Sequence, residues 1–313
     1  ENAGTDDSPA YGASDGGRLH LGGYGEMHAN FKQGDDADQF DLHRLVLYLG
    51  YEFADWVRLH SEYEVEHAYV SDGKGGKLLV EQITVDLLLS APANVRVGRI
   101  LTPLGIINKW HEPTTFNGVE RPSFAKYILP STWGSDGIGV FGNLTDRLSH
   151  ELYLVNGLDG SGFSAQKGIR GGRMHERPGL HETAITGRID YRPMEGVRTG
   201  ISGYTGGLNN GNKGNNPGVD GDIRILAADL EASVAGVDLR GAVAHTRIWG
   251  EDGLPAGVAL EMFGWYAEAA LHVWPSALTA GKLGRADAVA FVRFDSYDTQ
   301  YEMPDGVAAD ERY

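Results

Sequence analysis

Between Arg58 and Glu66 every second residue is ionisable: Arg58, His60, Glu62, Glu64 and Glu66, with Val57, Leu59, Ser61, Tyr63 and Val65 at or between the same positions. In an extended chain alternate side chains share a face, so the stretch carries a charged ladder on one side, its carboxylates about 7 Å apart. Such a ladder attracts cations and repels itself unless water or bases compensate it. It is not a catalytic pair. A glycosidase needs two carboxylates across a cleft, and a serine hydrolase needs an activated Ser on a sharp turn. The segment Gly200-Ile201-Ser202-Gly203 does not make that turn, and no other catalytic constellation is found, so the chain reads as a non-enzyme.

The metal-ligating residue types are equally scattered. His20, His28, His43, His60, His67 and His111 match no zinc spacing, and where His20, His28 and His60 share a lumen they read as polar wall groups, so no metal is assigned. The loop GDDADQFD offers Asp35, Asp36, Asp38 and Asp41 as hard oxygen ligands, without the fixed glycine of a calcium hand. A solvated acidic loop is the expected reading, with calcium the alternative. The absence of Cys excludes disulfides, thiolate zinc sites and covalent haem within the chain. No cofactor is implied. A net charge of -16, from 43 acids against 27 bases, disfavours nucleic acid and favours cations over anions.

These side chains need strands to position them. Leu19 to Phe31 alternates apolar and polar residues throughout, a length that suits a membrane-spanning strand better than a soluble one. Similar periodicity marks Leu42–Phe53, residues 56–67, Leu79–Leu89, Val95–Leu101, Ile138–Gly142, Leu148–Asn156, Thr183–Tyr191, Val197–Thr205, Arg224–Val234, Val237–Trp249, Met262–Val273 and Asp287–Asp298. Thirteen strands are legible and no convincing helix. Short turns alternate with long Gly-, Asp- and Asn-rich loops, the asymmetry of an outer-membrane barrel. Residues 1–16 are polar, small and acidic, and resemble the start of a mature secreted chain from which a signal peptide has been removed.

Periodicity leaves two choices for the wet side. A soluble sandwich points the charges out, and a membrane barrel points them into a lumen. Strand length, loop asymmetry and aromatic residues near strand ends (Tyr51, Phe53, Trp56, Trp249, Trp274) favour lipid outside. On that reading Arg44, Arg58, His60, Glu62, Glu64, Glu66 and Arg96 line a pore wall.

The stretch VRVGRILTPLGIIN, residues 95–108, resembles the strand-to-loop motif of the phosphate- and polyphosphate-selective outer-membrane porin family, through Gly98, Thr102, Pro103 and Gly105. Residues 120–142 resemble that family's return from its constriction loop, and LYLVNG at 152–157 its strand end. The resemblance implies an all-β, antiparallel up-and-down transmembrane barrel of about 16 strands over residues 17–313, with a constriction loop at about 103–135. Thirteen strands are readable, so the C-terminal strands are expected to be missing from this chain. Relatives use basic residues in the loop and on the wall, which makes Lys109, Arg121 and Lys126 the loop candidates. The alternative for Arg121 and Lys126 is that they pin the loop to wall acids such as Glu62 or Glu64.

The expected protein is a homotrimeric diffusion porin in the outer membrane of a Gram-negative bacterium, passing small hydrophilic solutes or ions and contacting outer-membrane lipid. Its acidic balance argues against the anion selectivity of the family it resembles. The alternative is a structural barrel that sheathes or anchors a surface or periplasmic partner, such as an extracellular cytochrome.

Overall fold

The computed structural model describes residues 18–31, 38–67, 76–174, 176–211 and 218–310. Among them are thirteen strands, hydrogen-bonded in sequence order from β1 to β13. They are β1 (Leu19–Asn30), β2 (Gln39–Ala54), β3 (Val57–Glu66), β4 (Lys77–Leu87), β5 (Asn94–Leu101), β6 (Gly134–Thr145), β7 (Leu148–Asn156), β8 (Thr183–Met194), β9 (Val197–Gly207), β10 (Asp220–Val234), β11 (Val237–Asp252), β12 (Glu261–His272) and β13 (Val289–Glu302). The count matches the sequence periodicity, because period-two alternation marks a strand wherever one face meets a different medium from the other. Several strands run further than the alternation indicated, β6 most of all.

The chain divides into two compact units: Glu1–Leu101 with Asp136–Gly142, and Thr102–Ser135 with Asn143–Tyr313. In the first, the β2–β3 register sets Arg44 opposite Glu66 and Glu52 opposite Arg58, and the β3–β4 register sets Arg58 opposite Asp86. In the second, β7 to β13 form an unbroken antiparallel run joined by tight turns at 195–196 and 235–236.

Each unit inverts the usual rule of burial. On β3, Glu62 and Glu64 are 0% and 1% exposed, while on β2 Leu45 and Leu47 are half exposed. On β10, Leu226 and Leu230 are exposed and Asp229 is buried. Leaving large apolar side chains in water forfeits about 1.5–3 kcal/mol each. A whole face of them is therefore built for an apolar solvent, with the polar groups turned away from it. Among the described residues no helix is long and apolar enough to cross a membrane.

Two expectations need correction. Short helices do occur, α1 (Gly105–Lys109) and α2 (Phe124–Tyr127), both inside the insertion between β5 and β6. They are too short to give a helical period in the sequence. Gly98 does not flank the departure into the loop. It lies within β5 opposite Thr84, where a Cβ would stand 2.1 Å from the Ile83 carbonyl oxygen, so glycine is required for strand approach. Asp35, Asp36, residues 1–16 and the tail from 311 lie outside the described residues.

Reversing the apolar face tests its solvent. Leu226→Arg should cost roughly 2–4 kcal/mol in urea unfolding from a lipid bilayer. Ala227→Ser, on the opposite face of the same strand, should cost less than half as much.

Candidate functional site

The second unit carries a belt of alternating charge across five strands. Glu231 on β10 lies opposite both Arg198 on β9 and Arg240 on β11; Arg240 lies opposite Glu268 on β12; Glu268 lies opposite Arg293 on β13. Directly opposed residues bring their Cβ atoms to within about 5 Å, so each acid is flanked by two bases. Arg198 pairs with Glu231, Arg240 Nε stands 3.6 Å from Glu231 Oε1, and Arg293 Nη2 stands 2.6 Å from Glu268 Oε2.

A second cluster adjoins the belt. Arg188 on β8 is buried and donates to both carboxylate oxygens of Asp229 at 2.7 Å and to Asp190 at 2.6–2.9 Å. Its guanidinium crosses the β9 backbone at Gly200, where a Cβ would lie 2.0 Å from Nη2. Only glycine leaves that path open. Two acids thus share the one guanidinium.

The insertion between β5 and β6 rests on this surface. Thr102 N donates to the Trp133 carbonyl at 2.8 Å, so the two ends of the insertion are clasped together just before Pro103, which has no N–H to continue strand pairing. Asn108 completes the clasp, donating to the Thr102 carbonyl at 2.6 Å and accepting from Trp133 N at 2.8 Å. Thr102 Oγ1 meets Ser135 Oγ at 3.2 Å, and Gly105, with φ 65, donates its N–H to Ser202 Oγ at 3.1 Å.

Wall bases then hold the insertion's backbone. Arg240 donates to the Thr115 carbonyl at 2.5 Å, and Arg293 donates to the carbonyls of Asn117 and Glu120. Asn117 Nδ2 donates to Glu268 at 2.9 Å, and Arg198 packs over the Trp110 ring at 3.6 Å. Asp295 accepts the N–H groups of Ser123 and Phe124 at the start of α2. Aromatic wall residues take the apolar side: Trp133 against Tyr204, Phe124 against Tyr266, and Tyr127 stacked on Tyr297. From the β7–β8 connection, Arg173 donates to the Ser131 carbonyl at 2.6 Å.

The candidates named from sequence fall into different places. Lys109 pairs with Glu151 on β7, Arg121 donates to Ser131 within the insertion, and Lys126 is exposed. In the first unit Arg44 bridges Glu26 and Glu64, at 2.6 and 3.2 Å. Glu62 accepts from Gln82 at 2.8 Å, Glu66 lies 3.9 Å from Lys77, and His60 is buried on the same face. Arg96 makes a two-pronged contact with Asp86, both bonds at 2.7 Å, and lies over the Phe141 ring. Alternation along β11, β12 and β13 puts Arg240, Glu268, Arg293 and Asp295 on the charged face, but does not connect them to the insertion. It missed Arg198, Asn108, Asn117 and Arg173, whose roles depend on strand register and loop path.

The fold defined by these strands is that of an outer-membrane-type β-barrel. Salmonella typhi OmpF, in a complex with daunomycin, is similar with a TM-score of 0.53, 13% identity, 82% of this chain and 75% of that one. The Acinetobacter baumannii outer membrane channel DcaP aligns over 92% of this chain and 93% of its own at 11% identity, with a TM-score of 0.41, too low to define a fold. No family model matches. In sequence, an uncharacterized protein of Aquifex aeolicus (strain VF5) is 31% identical over 306 residues, covering 92% of this chain and 68% of that protein. The chain belongs to the same family as that protein.

Gly200→Ala drives a methyl group into the Arg188 guanidinium and should destabilise the folded protein by about 1–3 kcal/mol. Urea titration of the purified protein measures it. Asp229→Asn should be milder, since Asp190 still partners Arg188.

Proposed function

We propose that the protein is a diffusion channel of the Gram-negative outer membrane, passing small hydrophilic solutes or ions along its charged faces. The observation that carries this reading is the insertion of residues 102–133 laid on the buried charged face of β8–β13 and held by Arg240 and Arg293. A segment fixed in that position narrows a lumen, which is what a constriction loop does. It also obstructs a threaded partner, so the occupied face favours a channel over a sheath for a cytochrome or an anchor for a surface assembly.

The resemblance to phosphate- and polyphosphate-selective porins is carried by the strand-to-loop residues Gly98, Thr102, Pro103 and Gly105. Selectivity need not follow it. The belt arginines are each engaged by a glutamate, an insertion carbonyl or the Trp110 ring, so they present little free positive charge to a solute. With the bases compensated, the surplus of acids sets a cation preference. Lys109, Arg121 and Lys126 on the insertion, and Arg44, Arg58, His60, Glu62, Glu64, Glu66 and Arg96 on the wall, are the groups we assign to the passage. The working unit is a homotrimer in contact with outer-membrane lipid.

Purified protein in a planar bilayer under a KCl gradient should conduct, with a reversal potential of the sign set by potassium. Silence would sink the channel reading, and an anion-signed potential would sink the charge argument. Replacing both Arg240 and Arg293 by Ala releases the insertion's carbonyls and should raise single-channel conductance and its noise.

A further inference from the structure

In the first unit, at the end of β2 and β3 that faces the long connections, one carboxylate oxygen meets two imidazoles. Asp41 Oδ2 lies 3.1 Å from His43 Nδ1 and 2.9 Å from His67 Nδ1. We propose that Asp41, His43 and His67 bind a divalent transition-metal ion of the zinc type.

The spacing of the donors fits such an ion. With metal–ligand bonds of about 2.0–2.1 Å, neighbouring ligands around an octahedral or tetrahedral centre stand roughly 3.0–3.4 Å apart. The donor atoms of these three residues all lie within 4.8 Å of one another. The rings of His43 and His67 meet at 84°, with centroids 5.2 Å apart, so their nitrogen edges can converge on one point without the rings colliding. Two imidazoles with one carboxylate suit zinc and its neighbours, whereas calcium and magnesium take oxygen ligands almost exclusively.

The backbone explains why the three meet. Asp41 and His43 are two apart on β2, so they share a face. His67 follows the last residue of β3 in a left-handed conformation, φ 56, and its N–H donates to the His43 carbonyl at 2.9 Å. The third donor is thus delivered across a strand pair, which is why no zinc spacing exists in the sequence. Behind the site, His28 stacks on the His43 ring at 4.1 Å with 13° between planes, and its Nε2 lies 2.8 Å from Glu26. The stacked ring, itself held by Glu26, restricts the orientation of His43, and the donor atoms of Glu26, His28 and His43 also lie within 4.8 Å of one another, so His28 stands at the edge of the same site. The side chains of Asp41, His43 and His67 are 28%, 27% and 48% exposed, so an ion reaches them from solvent and keeps open positions for water or a solute.

Calorimetric titration of the detergent-solubilised protein with Zn2+ should show one ion bound per chain. Binding should vanish in His67→Gln, which lies at an exposed strand end, and in Asp41→Asn. His28→Ala should weaken it by about 10-fold or more. His245→Ala, which breaks a single histidine–carboxylate pair elsewhere, should leave it unchanged. Co2+ added to the unaltered protein should give a visible spectrum with nitrogen ligation. No Zn2+ uptake, equal uptake by His67→Gln, or a Co2+ spectrum of the hydrated ion would each overturn the site.

Discussion

Arginine side chains on the wall hold the backbone of the insertion, and the candidate passage depends on that contact. Arg240 and Arg293 each face a glutamate on a neighbouring strand and direct remaining N–H groups at carbonyls of residues 115–120. Guanidinium suits this double duty because its donors fan out in one plane and its charge does not titrate. The contact solves two problems at once. It satisfies carbonyls of a segment with little secondary structure of its own, and it gives acceptors to the arginine N–H groups that the glutamates of the belt leave unused.

The same economy runs through both units. Buried acids are answered by bases from neighbouring parts of the sheet: Glu64 by Arg44 and Asp86 by Arg96 on adjacent strands, and Asp229 by Arg188 from two strands away, across β9. The electrostatic character of the buried faces is therefore set by what is left after pairing, and not by counting arginines. The glycines at 98 and 200 belong to this arrangement, since one lets strands close up and the other lets a guanidinium pass.

Much of the fold was legible. Alternation over Leu19–Asn30 or Leu226–Val234 marks a strand by itself, and the consistent apolar face across strands separated in sequence pointed to lipid on one side. The candidate site was less legible. Lys109, Arg121 and Lys126 were singled out for being basic residues in the insertion, yet their described partners are Glu151 and Ser131, with Lys126 exposed. The residues that anchor the insertion come instead from strands far along the chain, such as Arg240 and Arg293, and nothing in their local sequence distinguishes them from other arginines on a charged face. The histidines tell the same story, for His67 reaches Asp41 only because β3 returns beside β2.

Residue alternation alone marks the strands, about where they start, and which face of each is apolar, because it is a local property of an extended backbone. Which charge sits beside which depends on how the strands pair in the folded chain. A register shift of a single residue turns every side chain to the other face, and register is set by pairing between strands, not within them. The belt from Arg198 to Arg293, the path of the insertion across it and the meeting of Asp41 with two histidines all follow from those pairings.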